Sequence, residues 1–245
     1  MKPIPTAPTE VPPILVFGAH PDDVEFGCGG VVAKETQAGQ SVHLVVCSRG
    51  EAGSRGTPAE RTIEARNAAR TLGATLEFIT LDGDAHLEMS VVHTIKLARI
   101  IRRERPRIVL APSTVENQHP DHSRLGRLVR DACRLARYGG LKELKKLPAH
   151  AIGQLFFYAV TPDAEPRDLS PILIDVSEAA VIAAWTASME AHATQVRARN
   201  YVELQLARAR VRGLEAGVDH ATVLFPANPL VFSSLSHTGR QARQY

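Results

Sequence analysis

The 245-residue chain has three cysteines, Cys28, Cys47 and Cys133, and no CxxC pair. An odd, scattered set excludes a disulfide framework and supplies no thiolate zinc site. No apolar run approaches the roughly 20 residues that a membrane-spanning helix requires. Charge of one sign is scarce: 29 Lys and Arg against 26 Asp and Glu leave a net +3, too little to argue for a nucleic-acid partner. The basic runs Arg102-Arg103-Glu104-Arg105 and Arg197 to Arg212 contain acids and read as solvated helix faces. GxGxxG spacing is absent, so Gly27-Cys28-Gly29-Gly30 is not a dinucleotide fingerprint. That run suits close packing of a helix near the preceding loop, with Cys28 as a small buried hydrophobe. Internal repeats and low-complexity blocks are missing too. Residues 1–12 are proline-rich without a hydrophobic signal core and read as a loose leader. What remains is an ordinary globular composition, expected to be cytoplasmic and to have neither a nucleic-acid nor a membrane partner.

What is present is a regular alternation. Ile14-Leu15-Val16-Phe17 has the length and composition of a strand buried on both faces. Further strands are expected at Ser41 to Cys47, Leu76 to Leu81, Arg107 to Ala111, Gly153 to Val160 and Ile172 to Val176, the last clear one. Helical spacing separates them at Cys28 to Ala38, Ala59 to Leu72, Ser90 to Arg105 and Ser123 to Arg137. Two more helices, Ser177 to Val196 and Tyr201 to Ala216, precede an irregular tail. This order predicts an α/β fold: a Rossmann-like, mostly parallel central sheet flanked by helices, with a C-terminal α/β extension. One domain is expected, its core over 13–137 and its extension over 138–245. In such sheets the ligand crevice lies beyond the carboxyl ends of the strands, which here carry His20, Ser48, Asp82 and Ser113.

Two polar clusters follow buried strands directly: His20-Pro21-Asp22-Asp23, and Glu116 to His122 with His119-Pro120-Asp121-His122 at its end. Imidazoles and adjacent carboxylates at a strand end are costly to bury without a partner, and a divalent metal is a suitable one. His20, Asp23 and His122, placed on two loops, supply two nitrogens and an oxygen and leave a fourth position open, as a catalytic zinc site does. Fe2+ or another divalent metal fits the same donors. Asp22 diverges from its neighbour Asp23 and is placed to take a proton from a metal-bound water. His119 can reach the cavity from another side, to stabilise an oxyanion or protonate a leaving amine, and Asp121 can orient one of the histidines. The same triad also suits an iron oxygenase, and the crevice alone suits a sugar- or nucleotide-binding module. The base beside an open metal position argues for hydrolysis over both.

AHPDDVE at Ala19 to Glu25, together with HPDH at His119 to His122, resembles the PIG-L/LmbE family of metal-dependent N-acetylglucosaminide deacetylases. Val24, GEAGSRGT with Arg61 and Glu64, the segment around Leu147-Pro148 leading to Gln154 through Tyr158, and Asn200-Tyr201 are similar to its bacillithiol-pathway branch, whose members act on N-acetylglucosaminyl malate. The resemblance implies removal of acetate from an amino-sugar substrate, with His20, Asp23 and His122 as metal ligands and Asp22 as base. It implies that His119, tuned by Asp121, stabilises the tetrahedral intermediate, and that Arg61 and Tyr201 contact substrate. A helix-surface Arg61 paired with Glu64 is the competing reading, as is a merely packed Tyr201. The resemblance further implies a homo-oligomer, a trimer or hexamer. Near the end the chain departs from the branch, with His220 in place of a tyrosine and Thr222 in place of a glutamate, which leaves malate, inositol or another aglycone open.

Overall fold

A computed structural model describes residues 11–116, 119–197 and 200–239. The leader lies mostly outside this range, as do Asn117 and Gln118 of the second polar cluster. In chain order the elements are β1 (Ile14–Gly18), α1 (Asp23–Gln37), β2 (Val42–Val46), α2 (Pro58–Thr71), β3 (Thr75–Phe78), α3 (Val91–Glu104), β4 (Ile108–Pro112), α4 (Pro120–Ala136), β5 (Gln154–Tyr158), β6 (Ile172–Asp175), α5 (Ala179–Glu190), α6 (Ala193–Val196), α7 (Tyr201–Ala216) and β7 (Ala221–Pro226). One seven-stranded sheet takes them in the order β3-β2-β1-β4-β5-β7-β6. The first five strands of that order pair in parallel, and β7 runs antiparallel to both β5 and β6.

The alternation along β1 builds both layers of the core. Leu15 and Phe17 join the cluster formed with α3 and α4, whereas Ile14 and Val16 join the cluster formed with α1, α5 and α7. With β2 on one side and β4 on the other, chain order reverses at β1. A crevice therefore opens where the β1–α1 and β4–α4 connections diverge.

Local chemistry sets how α1 and α4 enter that crevice. Pro120 occupies the first turn of α4 and His119 is its N-cap, a position where the missing proline amide costs nothing. Gly126 lets α4 lie against the end of β4, since a Cβ there would stand 2.2 Å from the Pro112 carbonyl oxygen. The glycine run of α1 works in the same way. A Cβ on Gly27 would meet the Tyr158 ring at 2.2 Å, and one on Gly29 would meet Trp185 at 2.7 Å. Trp185 Nε1 donates to the Glu25 carbonyl at 2.7 Å, tying α5 to the first turn of α1. Cys28 is buried at the kink of α1, as a small hydrophobe.

Several expectations are corrected. The tail is not irregular at first: β7 inserts between β5 and β6, and Ile172–Asp175 is not the last strand. The helix expected over Ser177 to Val196 breaks after Glu190, and the chain turns at His192 before α6. Helices α1 and α4 begin at Asp23 and Pro120, so Asp23 and His122 sit on helical first turns rather than on loops. Arg102 is not on a solvated face. It is 2% exposed and donates to the carbonyls of Ala136, Tyr138, Leu144 and Leu147 at 2.7–3.0 Å, fastening α3 to the end of α4 and the segment beyond it. Arg102→Ala strands these acceptors and is expected to lower stability by at least about 3 kcal/mol in urea unfolding. Arg102→Lys is expected to recover less than half of it, because a point charge cannot serve four carbonyls in fixed directions. A loss under about 1 kcal/mol for the alanine variant would contradict this role.

Candidate metal and catalytic site

The β1–α1 connection is shaped by the Asp23 carboxylate. Its Oδ2 accepts the amides of Ala19 at 2.8 Å and His20 at 3.0 Å, folding the loop back over the helix N-terminus. Its Oδ1 lies 3.0 Å from His122 Nε2, and Oδ2 lies 3.6 Å from His20 Nδ1. Asp23, at the start of α1, thus contacts both other expected ligands, His20 of the β1–α1 connection and His122 at the start of α4, through different oxygens. Donor atoms near enough to share one ion come from His20, His119 and His122, and from His20, Asp84, His119 and Asp121, within 4.8 Å in each set; Asp23 belongs to neither. The His20 and His119 ring centroids are 4.2 Å apart.

Asp84 completes the cluster, although the sequence points to Asp82 as the polar residue ending the third strand. Asp82 instead faces outward, with His93 Nε2 at 2.7 Å from its carboxylate. Asp84 is buried, with Oδ1 3.1 Å from His20 Nε2 and 3.4 Å from His119 Nε2. Its Oδ2 accepts the Ala52 amide at 3.2 Å. Asp121 Oδ2 accepts the Ala85 amide at 2.8 Å and lies 3.3 Å from His20 Nε2. Of the orientations expected for Asp121, this geometry provides the one toward His20. Nε2 faces the Asp121 and Asp84 carboxylates and Nδ1 faces Asp23, so both ring nitrogens of His20 point at carboxylate oxygens.

Asp22 is the N-cap of α1 and has a left-handed backbone, φ 103°. Arg61 reaches it from α2. The guanidinium is 3.5 Å from Asp22 Oδ2 and donates to the Pro21 carbonyl at 2.9 Å and the Gly50 carbonyl at 3.3 Å. Arg61 is buried, so it is no helix-surface arginine, and Glu64 pairs with Thr194 instead of with it. Tyr201 opens α7 and lines the cavity, its ring 5.6 Å from that of Phe26. The cavity measures about 490 Å³ and takes in the three histidines, Asp22, Asp23, Asp84, Arg61, Gln195 and Gln205. Thr222 lies elsewhere, on β7 against Gly30 of α1, and the His220 amide donates to Ser177 Oγ.

The electrostatics favour a cation. Burial would depress the His20 imidazolium, yet Asp23, Asp121 and Asp84 raise its pKa well above the ordinary histidine value. Burial would raise Asp23, but His122 and His20 hold it well below the usual carboxylate range. Asp22 behaves differently: burial pushes its carboxyl up to about 6, against the opposing charge of Arg61. Within the cluster Asp121 Oδ1 and His122 Nδ1 are buried without a hydrogen-bond partner. Clustered nitrogen and oxygen donors with excess carboxylate charge fit a divalent metal. Behind this layer lie Glu25 and His192, both buried and 3.4 Å apart, which sequence reasoning did not identify.

Residues 15–133 match the family described as PIG-L: GlcNAc-PI de-N-acetylase. The chain is 35% identical over 133 residues to the uncharacterized deacetylase YaiS of Escherichia coli, an alignment covering 49% of this chain and 68% of YaiS. It is 30% identical over 160 residues to 4-oxalmesaconate hydratase of Pseudomonas putida, covering 60% of each protein. The crystal structure of the conserved protein TT1542 from Thermus thermophilus superposes with a TM-score of 0.79 at 34% identity, over 92% of this chain and 99% of that one. With HPDD and HPDH brought to one crevice of the matching fold, the chain belongs to the PIG-L family.

Proposed function

We propose that the protein is a metal-dependent amide hydrolase that removes acetate from the 2-acetamido group of an N-acetylglucosamine derivative, with Zn2+ as the metal. The observation that carries this reading is Asp22, a raised carboxyl in one cavity with three clustered histidines, two of which Asp23 contacts. His20, Asp23 and His122 would hold the cation. When bound there, a divalent cation lowers the pKa of a coordinated water toward 7 and polarises the amide carbonyl. Asp22 takes the proton released as the water attacks and delivers a proton to the departing amine. His119 Nδ1 accepts the Asp121 amide, which places its proton on Nε2; that N–H, now facing Asp84, would donate to the developing oxyanion in its place, while the Asp121 carboxylate keeps the His20 ring in register. Tyr201 and the neighbouring glutamines form the wall on which the sugar would rest. The family description and the name of YaiS support deacetylation.

The finer reading is N-acetylglucosaminyl malate as substrate, cleaved in the cytoplasm by a homo-oligomer. Primary-amine release from N-acetylglucosaminyl malate, N-acetylglucosaminyl inositol, N-acetylglucosamine and diacetylchitobiose tests it. The malate conjugate is expected to react fastest, and a faster inositol or chitobiose substrate would reassign the aglycone. The hydratase relative motivates one further arm, in which 4-oxalmesaconate is supplied. Hydration of that acid with silence across the amide panel would replace the deacetylase reading.

A further inference from the structure

The guanidinium of Arg61 borders the cavity, yet its N–H groups are spent on the protein's own loops. Its side chain is 6% exposed. Nη2 is committed to the Pro21 carbonyl and the Asp22 carboxylate, and Nη1 to the Gly50 carbonyl with Asp84 Oδ2 at 3.9 Å. The glycine-rich loop after β2 is moulded around this group. A Cβ on Gly50, which has φ +72°, would stand 2.0 Å from Nη1, and one on Gly53 would stand 2.7 Å from it. Helix α2 is fixed in turn by a capping box in which Thr57 and Glu60 satisfy each other's amides, and by Glu64 gripping the Thr194 amide and hydroxyl. The residue that this assembly touches, Asp22, holds a positive φ that costs a non-glycine residue about 1–3 kcal/mol and persists only where the surroundings impose it.

We propose that Arg61 is a positioning residue for Asp22: by bridging the Pro21 carbonyl, the Asp22 carboxylate and the Gly50 carbonyl, it imposes the left-handed turn that aims the Asp22 carboxylate into the cavity. This rests on the reading of Asp22 as the base, and it replaces a substrate contact with a contact to the protein's own loop. A rigid fork is needed because three acceptors in different directions share one group, which an ammonium cannot match.

Arg61→Ala and Arg61→Lys are compared with Asp22→Asn in zinc-loaded protein, using the panel substrate that reacts fastest. Both Arg61 variants are expected to lose kcat by about 10–100-fold, the scale of a misaimed catalytic group, with KM within about twofold. Bound zinc is expected to be unchanged. Millimolar guanidinium is expected to restore part of kcat to Arg61→Ala and none to Arg61→Lys. The Asp22→Asn, Arg61→Ala double variant is expected to be no slower than Asp22→Asn alone. A crystal structure of Arg61→Ala, or of Arg61→Lys should the alanine variant not fold, is expected to show Asp22 relaxed to negative φ. A rise in KM with kcat retained, or an Asp22 that stays in the left-handed conformation, would overturn the proposal. An active Asp22→Asn enzyme would instead remove Asp22 from the role of base, and the crystal structure would still decide what Arg61 holds.

Discussion

Asp22→Asn is expected to keep its metal and to lose about 10²–10⁴-fold in turnover, the range that a general base contributes. The substitution is isosteric, retains an oxygen for Arg61, and leaves His20, Asp23 and His122 untouched. It removes only the capacity to accept a proton. The wild-type pH profile should carry the same signature. A base acts when deprotonated, so kcat/KM falls as pH drops through the Asp22 value. Burial sets that value at about 6, against Arg61. A bound cation pulls in the same direction as Arg61, so the acid limb is expected at or below 6. Metal content by emission spectroscopy and turnover on the panel check the result together, and an asparagine variant within about threefold of wild type would contradict it.

Asp23→Ala is expected to act on affinity for the metal and on the fold at once. Loss of residues behind a ligand weakens metal binding by about 10–100-fold, so loss of a ligand is expected to exceed about 100-fold. The same carboxylate accepts the Ala19 and His20 amides. Leaving these buried donors unpaired is expected to cost the metal-free protein about 1–3 kcal/mol. The sign with pH follows from the depressed carboxyl. Its contribution is fully present above the unfolded value near 4 and is lost as pH falls toward the folded one. Zinc titration calorimetry and urea unfolding at two pH values measure the two effects. Unchanged zinc affinity would remove Asp23 from the ligand set.

Much of this was legible because the relevant signals are local. The apolar run of β1 ends at Gly18, just before the first proline motif, and that of β4 is followed by a second, so alternation alone brings both motifs to one sheet edge. Asp84 was not legible because Asp82 and Asp84 differ only in direction. The turn at Gly83 and Ala85, both with positive φ, sends one outward to His93 and the other into the cluster. Arg102 defeated composition because its four partners are carbonyls, which any sequence supplies. Strand β7 has suitable β-branched residues, but its place between β5 and β6 depends on pairing across long separations in the chain. The departures at His220 and Thr222 fall on or beside that strand, away from the cavity wall, so they carry less weight on the aglycone than their positions in the sequence suggested.

Hydrolysis of an N-acetyl group at this cluster is expected to depend on a bound metal. Acetate release from N-acetylglucosaminyl malate is the direct measurement, made on the protein as purified, after chelation and dialysis, and after return of one equivalent of Zn2+. Release is expected to disappear on chelation and to return with the metal. Release that continues undiminished in verified metal-free protein would contradict this dependence.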